Sequence, residues 1–329
     1  MALLSVRDLE VVFSRRWASE TRAVDHVSFD VAAGQTVGLV GESGCGKSVT
    51  SMAILGLLPP RGNTVRGSVS FDGRELLTTP ESQLREIRGR EIAMIFQDPM
   101  TSLNPVLTIG RQLTEVLQQH FGHNREKATT EAAAMLDRVG IPDARRRLRE
   151  YPHQLSGGMR QRAMIAMALA CKPRILIADE PTTALDVTIQ AQILELLREL
   201  VVDTDAALIL ITHDLGVVAG ICETVHVMYS GRLVESAGRH ELFARPRHPY
   251  TAGLLASVPR LDLPSGTPLT PIQGSPRDTI PWVTGCAFAP RCPRRVDACV
   301  GAPPALEADG SAAHLLRCVN PVPVAERAR

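Results

Sequence analysis

Thr36-Val37-Gly38-Leu39-Val40-Gly41-Glu42-Ser43-Gly44-Cys45-Gly46-Lys47-Ser48-Val49 is the stretch that decides the fold of this chain. Its first residues form a short apolar run that reads as a buried strand. Residues 41–48 fit G-x-x-x-x-G-K-[ST], and a helical pattern begins at Lys47. A strand, a turn whose N–H groups face outward and a helix with positive potential at its N-terminus together make a cradle for phosphate. Lys47 would carry a point charge to the β and γ oxygens of a nucleotide, and Ser48 a hydroxyl ligand to Mg²⁺. The bland alternative is a chance glycine turn, and the flanking strand and helix argue against it. An ATP site over Gly41, Glu42, Ser43, Gly44, Cys45, Gly46, Lys47, Ser48 and Val49 is therefore expected.

Outward from that stretch, apolar strands at 92–96, 174–178 and 207–212 alternate with helical segments, which is an α/β pattern. Residues 5–13, 24–31 and 68–71 are β-like, the last followed by an Asp72-Gly73 turn, and predict an antiparallel patch beside the parallel core. Residues from about 100 to 160 carry helical periodicity without strands and read as an inserted helical subdomain. After Arg245 the composition changes: fourteen of the 23 prolines and four of the seven cysteines lie between Pro246 and Arg329. A boundary is expected near residue 240, giving domains 1–240 and 241–329. The second is too irregular for a large core of its own.

The chain has 329 residues, 44% hydrophobic and 22% charged, with a formal charge of +1. This is globular composition, and it gives no support for a nucleic-acid-binding surface. Arg145-Arg146-Arg147 reads as a solvated helix face. The longest nearly apolar run, 163–171, is half of what a membrane span needs, and the N-terminus lacks a basic segment followed by a long apolar one. A cytosolic location with reduced cysteines is expected.

Ile175-Leu176-Ile177-Ala178-Asp179-Glu180 is a buried strand ending in two carboxylates, a costly place for charge unless a cation meets it. Asp179 is placed to hold Mg²⁺, and Glu180 to orient and deprotonate an attacking water. Gln97 and His213 also follow apolar strand ends, where α/β proteins gather ligands, and both could reach a γ-phosphate. A lone strand-end histidine also serves commonly as a structural hydrogen-bonding group.

Leu155-Ser156-Gly157-Gly158-Met159-Arg160-Gln161-Arg162 resembles the signature motif of ATP-binding cassette proteins. Ser156, Gly157, Gly158 and Met159 stand at the start of a helix whose N–H groups suit an anion. The resemblance implies a P-loop NTPase (RecA-like) core with an antiparallel β subdomain and an inserted α-helical subdomain. It also implies that two cassettes pair head to tail, the signature of each clamping the γ-phosphate on the other, so Ala184-Leu185-Asp186 resembles the D-loop, His213 the switch histidine and Phe13 the aromatic that stacks on adenine. Trp17 could substitute for Phe13. Catalytic roles fall to Glu180, His213 and Gln97, and Mg²⁺ ligation to Ser48, Gln97 and Asp179. Met159 stands where the broad family often has Gln, a departure common in the peptide-importer branch.

Phe96-Gln97-Asp98-Pro99-Met100-Thr101-Ser102-Leu103-Asn104-Pro105 and Arg247-His248-Pro249-Tyr250-Thr251 narrow the resemblance to the dipeptide and oligopeptide importer ATPases, whose relatives include nickel importers. Gly274-Ser275-Pro276 and the stretch from Gly285 to Pro293 carry it into the tail. It implies an ATPase on the cytoplasmic face of the cell membrane. The partners would be a second cassette subunit, paralogous or identical, two transmembrane permeases that make the membrane contact, and an extracytoplasmic peptide-binding protein. The competing class is a soluble cassette ATPase of DNA repair, chromosome structure or translation. Those carry long coiled coils, tandem cassettes or zinc modules that this chain lacks.

Cys286, Cys292, Cys299 and Cys318 form C-x5-C-x6-C-x18-C in the proline-rich tail. The spacing lacks the close pairs usual for zinc, and unligated buried thiols are the bland alternative. With the resemblance, a [4Fe–4S] cluster held by these four thiolates is expected, zinc being the alternative. Cys45, near a helix N-terminus inside the phosphate loop, is expected to have a lowered pKa, so that alkylation there would block ATP binding. Cys171 and Cys222 read as packing residues.

Overall fold

The computed structural model describes residues 2–15, 18–183, 185–258, 271–276, 284–311 and 313–323. The chain divides into two compact units. The first comprises Met1–Leu4, Val31–Gln35 and Phe71–Ile211, and the second Ser5–Asp30, Thr36–Ser70 and Thr212–Arg329. The phosphate loop thus shares a unit with the C-terminal segment, while the acidic strand shares one with Gln97 and the signature-like motif.

In the first unit the strands Ala207–Thr212, Ile175–Asp179 and Ile92–Ile95 run parallel in that order, with Ile177 opposite both Ile209 and Met94. Every residue of the first two strands is buried, which is why both read as unbroken apolar runs rather than alternating ones. The helical insert is present as Ile109–Phe121 and Arg125–Arg138. Thr108 accepts the Arg111 N–H at 3.2 Å and Asn124 the Lys127 N–H at 2.9 Å, so both helices open on a side-chain cap.

In the second unit the strand order is Glu307–Ala308, Leu315–Leu316, Arg232–Gly238, Thr224–Tyr229, Thr36–Val40. The last two pair in parallel and the others antiparallel. The expected antiparallel patch places Ala2–Arg15 between Ala18–Ala32 and Asn63–Phe71. Along Ala2–Arg15 the fully buried residues are Leu4 and Val6, then Leu9 and Val11. Their phase slips by one at Asp8, whose φ of +45° is a bulge-like break that an Asp tolerates.

The described residues of the tail form regular elements despite its composition. They contribute the helices Arg239–Ala244 and Pro249–Ala256 and two edge strands, organised around Glu235, which has no exposed surface. That carboxylate accepts the N–H groups of Arg247 at 2.7 Å and His248 at 2.9 Å, and lies 2.8 Å from Nε2 of His314.

Burial holds two histidines of this unit well below the usual imidazole range: His226, beside Ser236 Oγ, at about 4 and His248 at about 3. The folded chain keeps both rings neutral, whereas the unfolded chain protonates them near the ordinary value of about 6.5. Their contribution is therefore complete above pH 6.5 and is lost as the pH falls towards 4 and 3. At pH 5 each removes about 2 kcal/mol. Urea unfolding from pH 7.5 to 4.5 is expected to show this decline, and His248→Asn, which keeps an acceptor for the Tyr250 N–H, to flatten it. An unchanged slope would rule His248 out as a source.

Candidate nucleotide site

Strand and helix position the phosphate loop as the pattern predicted: Thr36–Val40 leads into it and Lys47–Ile54 leaves it. Gly46 sits at φ +105°, and a Cβ there would lie 2.2 Å from the Ala23 carbonyl oxygen, so only glycine fits. At Gly44, φ +81°, a Cβ would meet nothing within 4 Å, which leaves the mouth of the loop open. Lys47 is buried, and its ammonium donates to the carbonyls of Gly41 at 2.8 Å and Glu42 at 3.1 Å. Ser48 and Val49 occupy the first helical turn, half-buried, and Ser43 is exposed on the loop. Phe13 is half-buried in Ala2–Arg15, while Trp17 lies outside the described residues.

Cys45 overturns the expectation made for it. Its side chain is buried, and burial pushes the thiol up, against the opposing pull of Lys47. Proximity to a helix N-terminus is outweighed by desolvation of the thiolate. Iodoacetamide at pH 7.5 is expected to leave Cys45 essentially unmodified in the native chain. Rapid modification under native conditions, read by mass spectrometry, would contradict this.

In the other unit, Asp179 closes its strand and is 3% exposed, and Glu180 follows at φ +45° with its N–H bonded to the Ile211 carbonyl at 2.8 Å. That left-handed turn carries the Glu180 carboxylate off the strand line. Gln97, exposed beyond Ile92–Ile95, donates from Nε2 to Glu180 Oε2 at 3.0 Å, and Thr183 Oγ1 donates to the same oxygen at 2.9 Å. Two sequence-predicted residues are thereby brought together. Thr183 was missed, although its position three residues after Glu180 on a turn is a usable signal. His213 is exposed just past Ala207–Thr212, and belongs to the unit of the phosphate loop.

Ser156 caps the helix Gly157–Leu169, accepting the Met159 N–H at 3.3 Å. The N–H groups of Gly157 and Gly158, at the helix start, have no intrahelical partner and can face an anion. A Cβ on Gly158 would lie 3.0 Å from Ile189 Cγ2. Asp186 caps Val187–Thr204 through the Ile189 N–H at 3.0 Å, and the signature-like motif packs against that helix at Ile189. Leu185 is half-buried, and Ala184 lies outside the described residues.

Cys286, Cys292, Cys299 and Cys318 line one cavity in the tail, joined by His248, Phe288 and Arg294. Burial raises the thiols of Cys286 and Cys292, and that of Cys318 to about 11, with the neighbouring thiols adding to the effect. Among the described residues no three of these sulfurs lie within 4.8 Å of one another, wider than a single tetrahedral zinc draws its ligands. Cys171 and Cys222 are buried, their thiols pushed up to about 11 and about 12, which suits packing residues.

Residues 24–183 match the ABC transporter family, and residues 234–299 match the oligopeptide/dipeptide transporter C-terminal region. The chain is 55% identical over 298 residues to the dipeptide transport ATP-binding protein DppD of Bacillus subtilis, covering 90% of this chain and 88% of the relative. It is 52% identical over 321 residues to the oligopeptide transport ATP-binding protein OppD of Escherichia coli, covering 98% and 94%. Among solved structures it resembles the dimeric post-hydrolysis state of the ATP-binding cassette MJ0796 bound to ADP and Pi. That likeness has a TM-score of 0.64 and 26% identity, over 72% of this chain and 98% of that one.

Proposed function

Because the chain belongs to the ATP-binding cassette family, in the branch of dipeptide and oligopeptide transport ATP-binding subunits, we propose that it is the ATP-hydrolysing motor of a peptide importer. The observation that carries the reading is the contact between Gln97 and Glu180. It ties the segment that in this branch leads to the permease-facing surface to the carboxylate that activates water, so a movement of one is felt by the other.

The phosphate loop, residues 41–49, cradles the ATP phosphates, and Phe13 stacks on adenine. Ser48, Gln97 and Asp179 are the ligands that would hold Mg²⁺, which neutralises charge on the β and γ oxygens when bound. Glu180 takes the proton of the attacking water, with Gln97 and His213 as its helpers. Ser156, Gly157, Gly158, Met159 and Asp186 face a second cassette, paralogous or identical, and complete its site. Two permeases and an extracytoplasmic peptide-binding protein complete the importer. Among the described residues no helix is long and apolar enough to cross a membrane, and the membrane contact is made by the permeases at the cytoplasmic face. The boundary between motor and tail lies near residue 240.

For the four thiols that line this cavity we propose a [4Fe–4S] cluster, with zinc as the alternative. The thiols of Cys286, Cys292 and Cys318, raised by burial, need cationic charge to ionise. The cluster's role is structural, replacing a core the tail cannot build. An absorption band near 400 nm with matching iron and sulfide supports it, and stoichiometric zinc in their place refutes it. The transport reading is tested by reconstituting the chain with its permeases and binding protein in vesicles. ATP-dependent uptake of labelled di- or oligopeptide is expected. Uptake of nickel alone, or no uptake with intact ATPase activity, would overturn it.

A further inference from the structure

One residue of the phosphate loop is held by the tail. Arg291 donates from Nη1 and Nη2 to the two carboxylate oxygens of Glu42, at 2.7 and 2.9 Å. Its Nε donates to the Gln273 carbonyl at 3.0 Å, and its side chain is 2% exposed. The hydroxyl of Tyr250 accepts the Glu42 N–H at 2.9 Å, and the Glu42 carbonyl accepts Lys47 Nζ at 3.1 Å. Carboxylate, N–H and carbonyl of a single loop residue are thus all committed. Two of the partners, Tyr250 and Arg291, lie more than two hundred residues along the chain.

The anchors are rigid. Tyr250 packs edge-on against Tyr229 at 4.7 Å and near Phe288 at 5.3 Å, and the Arg291 guanidinium lies 5.8 Å from the centre of the Tyr229 ring. His248 caps the Tyr250 helix by accepting the Tyr250 N–H at 3.1 Å, and is itself fixed by Glu235. A carboxylate in a phosphate loop is otherwise a liability, because it sets a negative charge where a polyanion must bind. A bidentate arginine both neutralises it and fixes its direction.

We propose that Arg291, supported by Tyr250, is a positioning residue for nucleotide binding. Supplied by the C-terminal segment, it neutralises Glu42 and holds the phosphate loop in the shape that receives a triphosphate. The proposal rests on ATP binding at that loop and adds a second segment of the chain to it.

The test is titration of the full-length chain with MgATP, for wild type, R291Q, R291K, E42Q, Y250F and the R291Q/E42Q double variant. R291Q is expected to weaken ATP about tenfold, a difference of about 1.4 kcal/mol. R291K, which keeps the charge but not the fork, should fall between R291Q and wild type. Removing the orphaned carboxylate in R291Q/E42Q should restore part of the affinity, a recovery that a purely structural arginine does not give. Y250F, which deletes one oxygen from a fully buried ring, should lose about two- to threefold without unfolding, so the proposal stays testable if R291Q does not fold. Equal affinity for wild type, R291Q and Y250F overturns the proposal, as does a double variant no better than R291Q. A wild-type chain that binds no ATP refutes the nucleotide reading itself, and is distinguishable because it fails before any substitution is made.

Discussion

Glu180→Gln is expected to cut ATP turnover by about 10³-fold while leaving ATP affinity within a factor of about two, because one proton acceptor is lost and no phosphate contact is removed. The amide keeps the size of the carboxylate and an oxygen that can still accept from Gln97 or Thr183, so the turn at φ +45° need not change. Single-turnover hydrolysis and equilibrium binding, measured on the same preparation, separate the two effects. Turnover within tenfold of wild type would remove Glu180 from the role of base, and affinity lost in parallel with turnover would make it a binding residue instead.

Glu235→Ala is the substitution with the largest expected cost in stability, about 4 kcal/mol. It strands the N–H groups of Arg247 and His248 and one nitrogen of His314 without their acceptor. Glu235→Gln retains one acceptor oxygen and should cost roughly half as much. Because the same carboxylate ties Arg247 and His248 to His314, the alanine variant should also be cut by protease after residue 245 far faster than wild type. Denaturant midpoints and a proteolysis time course check both. An alanine variant as stable as the glutamine one would show that the three donors find other partners.

The nucleotide-binding part of the fold was legible because its signals are local. Strand, loop and helix follow one another at Thr36–Val40, 41–46 and Lys47–Ile54, and the two carboxylates stand at the end of an unbroken apolar run. Caps at Thr108, Asn124, Ser156 and Asp186 are equally local. What stayed hidden was made by distance along the chain or by burial. Arg291 meets Glu42 across 249 residues, and nothing near either residue announces the other. Cys45 reads as an activated thiol from its neighbours in sequence and is the opposite once the chain packs over it. The strands Glu307–Ala308 and Leu315–Leu316 are two residues each, too short for alternation to show, and exist because a neighbouring strand offers its free edge.

That free edge has a consequence for the fate of the protein when its tail is lost. Arg232–Gly238 is a buried seven-residue strand whose outer side is occupied by Leu315–Leu316, paired through Glu235 and Ser236, and beyond it by Glu307–Ala308. A two-residue strand at the rim offers too little backbone to template another molecule, whereas an uncovered seven-residue one invites it. The last stretch of chain is then a guard against self-association, and a protein clipped before residue 307 would be recognised by its tendency to precipitate before any change in how it handles nucleotide.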